Sequence, residues 1–281
     1  MVTRKEWTRN TPWRQGYLLP HEAVKSLGLT QPKYPDDTLV IVASHDCDLA
    51  QPPDREPEIE VVVGRQIQSL DGNYTHAKSS RILHIEFEGK ESLPAEFVIT
   101  AKCGIPKNVL ADFSPTTDFS LSPVDCATFQ LWLASRYRRA AFPDEFERRL
   151  TDSRLTEKIA NAVRPHGKMI TAVFFDVDEG QEINRRGPCD VYVLDIYLLH
   201  ITEPDFNAAE AAANQAKAII ENAFKTTLID KQTDTWAGIE LRYVGVLSEN
   251  SMTYLQSKLL KKWRLDHISL GADPQQPILT E

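Results

Sequence analysis

No Cys-x-x-Cys pair occurs in the 281 residues, and the four cysteines, Cys47, Cys103, Cys126 and Cys189, lie far apart. That spacing is neither a zinc ribbon nor a disulfide framework, and it suits free thiols in a reducing compartment. No stretch approaches the roughly 18 consecutive apolar residues of a membrane span. The opening Met1-Val2-Thr3-Arg4-Lys5-Glu6 contains no apolar signal core. The expectation is therefore a soluble, cytoplasmic protein. A basic excess is missing too: the formal net charge is −8, so contact with a phosphate backbone would need a local basic patch. Internal repeats and low-complexity tracts are absent. What remains is a chain with 42 % apolar residues, enough for a true core, and long enough for one large domain or two modest ones.

The most pointed stretch is Thr38–Val63. An apolar run, Leu39-Val40-Ile41-Val42-Ala43, stops abruptly in Ser44-His45-Asp46-Cys47-Asp48. Residues apolar on both faces predict a buried central strand. After a Pro-rich loop the chain returns as Glu58-Ile59-Glu60-Val61-Val62-Val63, with Ile59, Val61 and Val63 on one face. Arg81–Phe87 and Glu96–Thr100 read as two further strands. Residues 13–110 thus predict a small, curled, mostly antiparallel sheet, with an SH3-like barrel as its closed form.

Ser122-Pro123 predicts a helix start, with serine as cap and proline at the first helical position. The change of period from two to 3.6 near residues 115–122 predicts a boundary, giving a β-rich module over 1–118 and a helical connector plus α+β module over 119–281. In the latter, Ile170–Val177 and Asp190–Ile201 read as strands. Thr202 to Asp205 caps an Ala-rich helix to about Leu228, with Ala212, Ala216, Ile219 and Ala223 as its stripe. Trp236–Leu247 reads as a third strand and Ser251–Leu265 as a final helix carrying Trp263 on its apolar face. The fold class is α+β, its second module β-β-α-β-α.

If Asp46 and Asp48 stay extended and Asp48 faces Glu58, then Asp46 faces Glu60 and four carboxylates share one patch. Like charges directly opposite destabilise a sheet, by about 1 kcal/mol per pair at 4 Å in water and about fourfold more when half buried. Lys78, Arg81 or Lys102 could neutralise such a patch; so could a cation. Asp46, Asp48 and Glu60 are the candidate ligands of Mg²⁺ or Mn²⁺, with His45 or His76 as candidate general base. The blander alternative is a solvated acidic loop.

Cys47 permits a nucleophilic-thiol reading, with His45 two residues before it, although its two aspartate neighbours oppose thiolate formation. A zinc site from His45, Cys47 and His76 or His84 has no spacing signature behind it. Phe174-Phe175-Asp176-Val177-Asp178-Glu179 resembles the Asp-x-Asp metal-binding strand of palm-type nucleotidyl cyclases and polymerases; a strand entering a wet hairpin is the alternative. Arg136, Arg138 and Arg139, with Arg148 and Arg149 beyond them, form a candidate nucleic-acid patch near Trp132 and Tyr137. Lys258, Lys261, Lys262 and Arg264 form a second one. His267 reads as a packing residue.

Trp13-Arg14-Gln15-Gly16, the strand into Ser44-His45-Asp46-Cys47-Asp48 and the Glu58–Val63 return resemble an uncharacterised bacterial family with the same Ser-His-Asp-Cys-Asp signature. The order Arg-Gln-Gly, apolar strand, Val-rich strand is also similar to MazF-like toxins, over about sixty residues. That resemblance implies an SH3-like barrel, RNA as partner, Arg14 as a residue of interest and a defence or toxin-type role. The acidic cluster is not part of the MazF pattern, so no residue roles carry over. Two functions from different classes follow as expectations. One is a metal-dependent phosphodiester hydrolase acting on nucleic acid or nucleotide. The other is a non-catalytic sensor or adaptor that binds nucleic acid, nucleotide or a partner protein, with the Ala-rich helix serving assembly.

Overall fold

The computed structural model describes residues 6–135, 137, 142–181, 183, 185, 187 and 189–264. The described residues form two compact units: one holds 6–70 and 80–135, the other 71–79 and those between 137 and 264. Helices and strands mix in both, and the class is α+β.

The first unit begins with helix α1 (His21–Ser26) and strand β1 (Thr38–Val42). A short helix, α2 (Asp46–Leu49), interrupts the chain before β2 (Glu58–Gln66), β3 (Ile82–Phe87) and β4 (Leu93–Pro106). Helices α3 (Lys107–Leu110) and α4 (Pro123–Ser135) follow. The sheet is antiparallel and open, in the order β1-β2-β4-β3; among the described residues no closed barrel forms. The expectation of a central β1 needs correction. It lies at the end of the ladder and is buried because residues 16–19 run along it, with Gly16 N donating to Val42 O and Leu19 N to Val40 O. That cover supplies the second apolar face a hydrophobic edge strand requires.

One core gathers Trp7, Trp13, Val40, Val42, Leu49, Ile59, Val61, Val63 and Leu110. Elsewhere on the sheet α4 lays Phe129 against Phe97 (ring centroids 6.5 Å apart) and stacks it on Trp132 at 6.0 Å. Gly64 sits at a shift of register between β2 and β4. A Cβ there would overlap the Glu96 carbonyl and the Phe97 ring, so the close strand approach needs glycine.

The second unit contains α5 (Asp144–Asp152), α6 (Leu155–Val163), β5 (Ile170–Val177) and β6 (Tyr192–His200). Helix α7 (Phe206–Leu228) follows, capped by the Asp205 carboxylate accepting from Ala208 N. A two-stranded ribbon, β7 (Ile229–Asp230) with β8 (Thr235–Trp236), precedes β9 (Ile239–Ser248). Helix α8 (Tyr254–Leu259) and strand β10 (Lys261–Trp263) come last among the described elements. The sheet order is β10-β5-β6-β9. β5 pairs antiparallel with β10 and β6, while β6 and β9 are parallel and joined through α7, the long crossover that parallel neighbours require.

The expected β-β-α-β-α order is therefore present with additions. The final helix is the main correction: among its described residues only Tyr254–Leu259 is helical, and Trp263 stacks on Phe175 from strand β10 at 5.3 Å. Burying that indole on the sheet outweighs local helical periodicity. On α7, Ala209, Ala212, Ala213, Ala216, Ile220, Ala223 and Phe224 face inward, whereas Ile219 is 51 % exposed. The alanine stripe serves the unit's own core, where small side chains let the helix lie close to the sheet. No described helix is long and apolar enough to cross a membrane.

Candidate functional site

The Ser-His-Asp-Cys-Asp segment is a capped turn rather than an extended strand. Ala43 N and Ser44 N both donate to Glu60 O, at 2.8 and 3.2 Å, and Ser44 Oγ accepts from Glu60 N at 2.8 Å. These bonds end β1 and turn the chain. His45 then caps α2, its Nδ1 accepting from Cys47 N at 3.2 Å, which leaves the neutral ring's proton on Nε2. Asp46 Oδ1 accepts from Gln15 N at 2.9 Å, Gln15 Nε2 donates to Ala43 O at 2.7 Å, and Gln130 Nε2 reaches Gln15 Oε1 at 2.8 Å.

The far end of α2 is closed by Lys107. Its ammonium donates to Asp48 O at 2.6 Å and Gln51 O at 2.9 Å, and stands 5.7 Å from the centre of the Trp7 ring. Burial lowers the Lys107 pKa from the ordinary lysine value. Trp7 Nε1 donates to Leu49 O at 2.9 Å.

This geometry removes the premise of the acidic patch. Asp46 and Asp48 are helical, and β1 pairs with β2 as Val42 to Val61 rather than Asp48 to Glu58. Glu60 Oε1 is held by Lys102 Nζ at 2.7 Å. Among the described residues no three His, Cys, Asp or Glu side chains converge as a metal site would need. His84 faces Glu96 at 3.0 Å, and Arg65 binds that same carboxylate at 2.8 Å. Arg14 turns back onto the Thr11 and Trp13 carbonyls.

His76 belongs to the second unit, where its Nε2 lies 3.2 Å from Lys168 O. Its pKa is lowered to about 4, first by burial and then by Lys78, so it stays neutral at pH 7 but is a weak base there. Lys78 is fully engaged with Thr75, Gly167 and Ile170.

What the turn does create is a cleft of about 670 Å³ in the first unit, lined by Trp7, Thr8, Arg9, Asp46, Cys47, Ala50, Gln51, Pro52 and Arg55. That volume is in the usual range for small-molecule sites, roughly 300–1,000 Å³. Cys47 is exposed at its edge. The lining contains two arginines and one aspartate, so it is net basic in an otherwise acidic chain. Sequence reasoning passed over Arg9 and Arg55. The available signal was their position, one beside Trp7 and the other inside the Pro52–Pro57 loop.

The Asp-x-Asp strand has a different fate. Asp178 is buried, binds Arg185 with both oxygens at 2.9 and 3.1 Å, and accepts from Val193 N at 2.9 Å. Asp176 sits directly across from Asp195, and Arg242 forks onto Asp195 at 2.9 and 2.7 Å while reaching Glu179 at 2.8 Å. Burial, then Asp195, raises the Asp176 pKa above 3.8; Glu179 adds to this, while Arg242 and the Gly180 N–H oppose it. A raised carboxyl pKa means the folded state holds a proton that the unfolded chain has released, so stability is lost as pH rises from 3.8 through the folded value. Asp176→Asn is expected to raise the stability at about pH 7 by less than about 1 kcal/mol after solvent screening, seen as a higher melting temperature, and to change nothing at about pH 3. Scanning calorimetry at both pH values checks this; equal shifts at both would refute it.

Of the candidate basic patches, Arg136, Arg138 and Arg139 lie outside the described residues, as does His267. Arg148 pairs with Glu145 and Asp152. Arg149 clamps Asp190 O, Gly238 O and Gly187 O. Lys262 and Arg264 donate to His76 O and Ala77 O from β10 and its end, not from a helix. Arg149, Lys262 and Arg264 are thus engaged with backbone carbonyls, and Arg148 with surface carboxylates.

The fold and the cleft together describe an α+β protein with a small, open, Arg-flanked site beside a capped turn. No family model, curated protein or solved structure matches the chain.

Proposed function

We propose that the protein is a non-catalytic binding module, a sensor or adaptor, that takes a phosphate-bearing ligand of the nucleotide or nucleic-acid class in the cleft of the first unit. The observation that carries this reading is a cleft large enough for a nucleotide whose lining includes both Arg9 and Arg55. Guanidinium groups bind phosphate oxygens in a fork, with charge assistance. Trp7 and Pro52 supply apolar wall for a base or sugar. The competing hydrolase, with Asp46, Asp48 and Glu60 holding Mg²⁺ or Mn²⁺, has less support because Asp46 and Glu60 are already bonded to Gln15 and Lys102.

Isothermal titration with ATP, GTP and a short single-stranded RNA tests the proposal. Binding of at least one is expected, weakened by about tenfold or more in an Arg9→Ala/Arg55→Ala double variant, equivalent to about 1.4 kcal/mol. The bound ligand is expected to be recovered intact with or without EDTA. No binding, or equal binding by the double variant, overturns the proposal. Metal-dependent turnover, together with Mn²⁺ stabilising the wild type but not Asp46→Asn, would restore the hydrolase.

A further inference from the structure

We propose that a second, smaller pocket of the first unit is the subsite for the base of the nucleotide, and that it selects guanine. This deepens the cleft reading and rests on it for the phosphate half of the ligand. The pocket has a volume of about 130 Å³, and its wall includes Glu6, Trp7, Thr8, Trp13, Phe113 and Ser114. Trp7 and Thr8 also line the Arg-bearing cleft, so the two spaces share a wall.

Trp13 carries the inference. Its side chain is fully buried, at 0 % exposure, and its indole N–H has no hydrogen-bond partner among the described residues. Buried donors are almost always paired, and an orphan among the residues of a cavity wall points to a partner that the cavity receives. Trp7 is the contrast. Its Nε1 already donates to Leu49 O at 2.9 Å, so it contributes ring surface alone. The backbone around Trp13 is held in place: Arg14 Nη1 donates to both Thr11 O and Trp13 O at 2.7 Å. The ligand therefore brings an acceptor for the Trp13 N–H.

The remaining wall says which ligand. It holds one carboxylate, Glu6, and no lysine, arginine or histidine. Phosphate is repelled from such a pocket and belongs with Arg9 and Arg55. The aromatic side chains Trp7, Trp13 and Phe113 suit a flat ring. A carboxylate only accepts, so the ring must carry donors as well. Guanine presents two adjacent donors, its ring N–H and its amino group, beside a carbonyl acceptor. Adenine and cytosine set a lone pair next to their amino group, which a carboxylate repels. Uracil flanks its single N–H with acceptors on both sides. Guanine alone offers Glu6 a pair of donors and Trp13 an acceptor from one edge.

Isothermal titration of the full chain with guanosine, adenosine, GTP and tripolyphosphate tests this. Guanosine is expected to bind, and adenosine to bind more weakly by about tenfold or more, because the wrong edge leaves polar groups unpaired. GTP is expected to bind more tightly than guanosine or tripolyphosphate, since one molecule then fills both spaces. Glu6→Gln, at an exposed position, weakens guanosine by about tenfold and leaves tripolyphosphate unchanged. Ser114→Trp, also at an exposed position, blocks guanosine and keeps the wild-type circular dichroism. Trp13→Phe removes the N–H and weakens guanosine about as much as Glu6→Gln; the two exposed variants decide the matter if that core substitution does not fold. Guanosine that fails to bind, binds no better than adenosine, or is unmoved by Glu6→Gln and Ser114→Trp overturns the proposal. Tripolyphosphate, compared between wild type and the Arg9→Ala/Arg55→Ala variant, reads the cleft by itself, so failure of the base subsite and failure of the phosphate site are seen separately.

Discussion

Lys78→Met is expected to cost the second unit about 3 kcal/mol or more, enough to unfold it at modest urea concentration. The Lys78 side chain is almost wholly buried, at 2 % exposure. Its three ammonium protons have three acceptors, Gly167 O at 2.8 Å, Ile170 O at 2.7 Å and Thr75 Oγ1 at 3.0 Å. Burial, and then the neighbouring Lys262, lower its pKa well below the ordinary lysine value, because desolvation and a like charge both oppose the charged form. Methionine matches the chain length but takes the ammonium donor away from both carbonyls; the Gly167 carbonyl keeps the Thr75 hydroxyl at 2.9 Å, and each bond left unmade in the interior costs about 1–3 kcal/mol.

The same segment holds His76 and Ala77 at φ 53°, a left-handed conformation that side chains with a Cβ resist. Lys262 and Arg264 donate to the carbonyls of those two residues. Gly72 touches Gly167 so closely that a Cβ on either would overlap the other's backbone. Gly72→Ala should therefore weaken the same unit through sterics alone. Urea melts followed with hydrogen exchange across 71–79 and 167–170 are the measurement. A loss below about 1 kcal/mol for Lys78→Met would show that solvent replaces the ammonium and that the staple is not structural.

Arg149→Lys should lower stability by about 2–3 kcal/mol, because lysine cannot reproduce the guanidinium fork. Arg149 Nη1 reaches Asp190 O at 2.8 Å and Gly238 O at 2.7 Å, Nη2 reaches Gly187 O at 2.9 Å, and Nε pairs with Glu145 at 2.8 Å. A Cβ at Gly238, itself at φ +78°, would come within 3.4 Å of the Arg149 carbon stem. The guanidinium also stands 5.1 Å from the centre of the Tyr192 ring. One side chain thus joins α5 to the loops before β6 and β9. Arg148→Ala, one residue earlier on the exposed side, should leave the thermal melt close to wild type, as surface ion pairs contribute little. If Arg149→Lys melts like wild type but binds RNA more weakly, the residue is a phosphate contact and the clamp is wrong.

Arg148 and Arg149 also show where sequence reasoning reaches its limit. Adjacent arginines read as one basic patch, yet a helix points successive residues about 100° apart, so one faces water and the other the carbonyls. The acidic segment failed for a related reason. Asp46 and Asp48 share a face only if extended, and His45 as an N-cap turned them into a helix. Histidine is an unusual cap, so the usual Ser/Thr/Asp/Asn signal pointed elsewhere. Ser122 and Asp205 are ordinary caps, and the starts of α4 and α7 were legible from them.

Alternation, apolar runs and capping residues, read along the chain, settle the α+β class, the strands Glu58–Gln66, Ile82–Phe87 and Ile170–Val177, and the start of α7. These depend on bonds within a few residues, which local order encodes. Which group neutralises which charge is decided by contacts between distant positions. Asp46 meets Gln15 across 31 residues, Glu60 meets Lys102 across 42, and Lys78 meets Gly167 across 89. A side chain's partner follows from strand register and packing, and a one-residue slip in register turns every side chain to the opposite face.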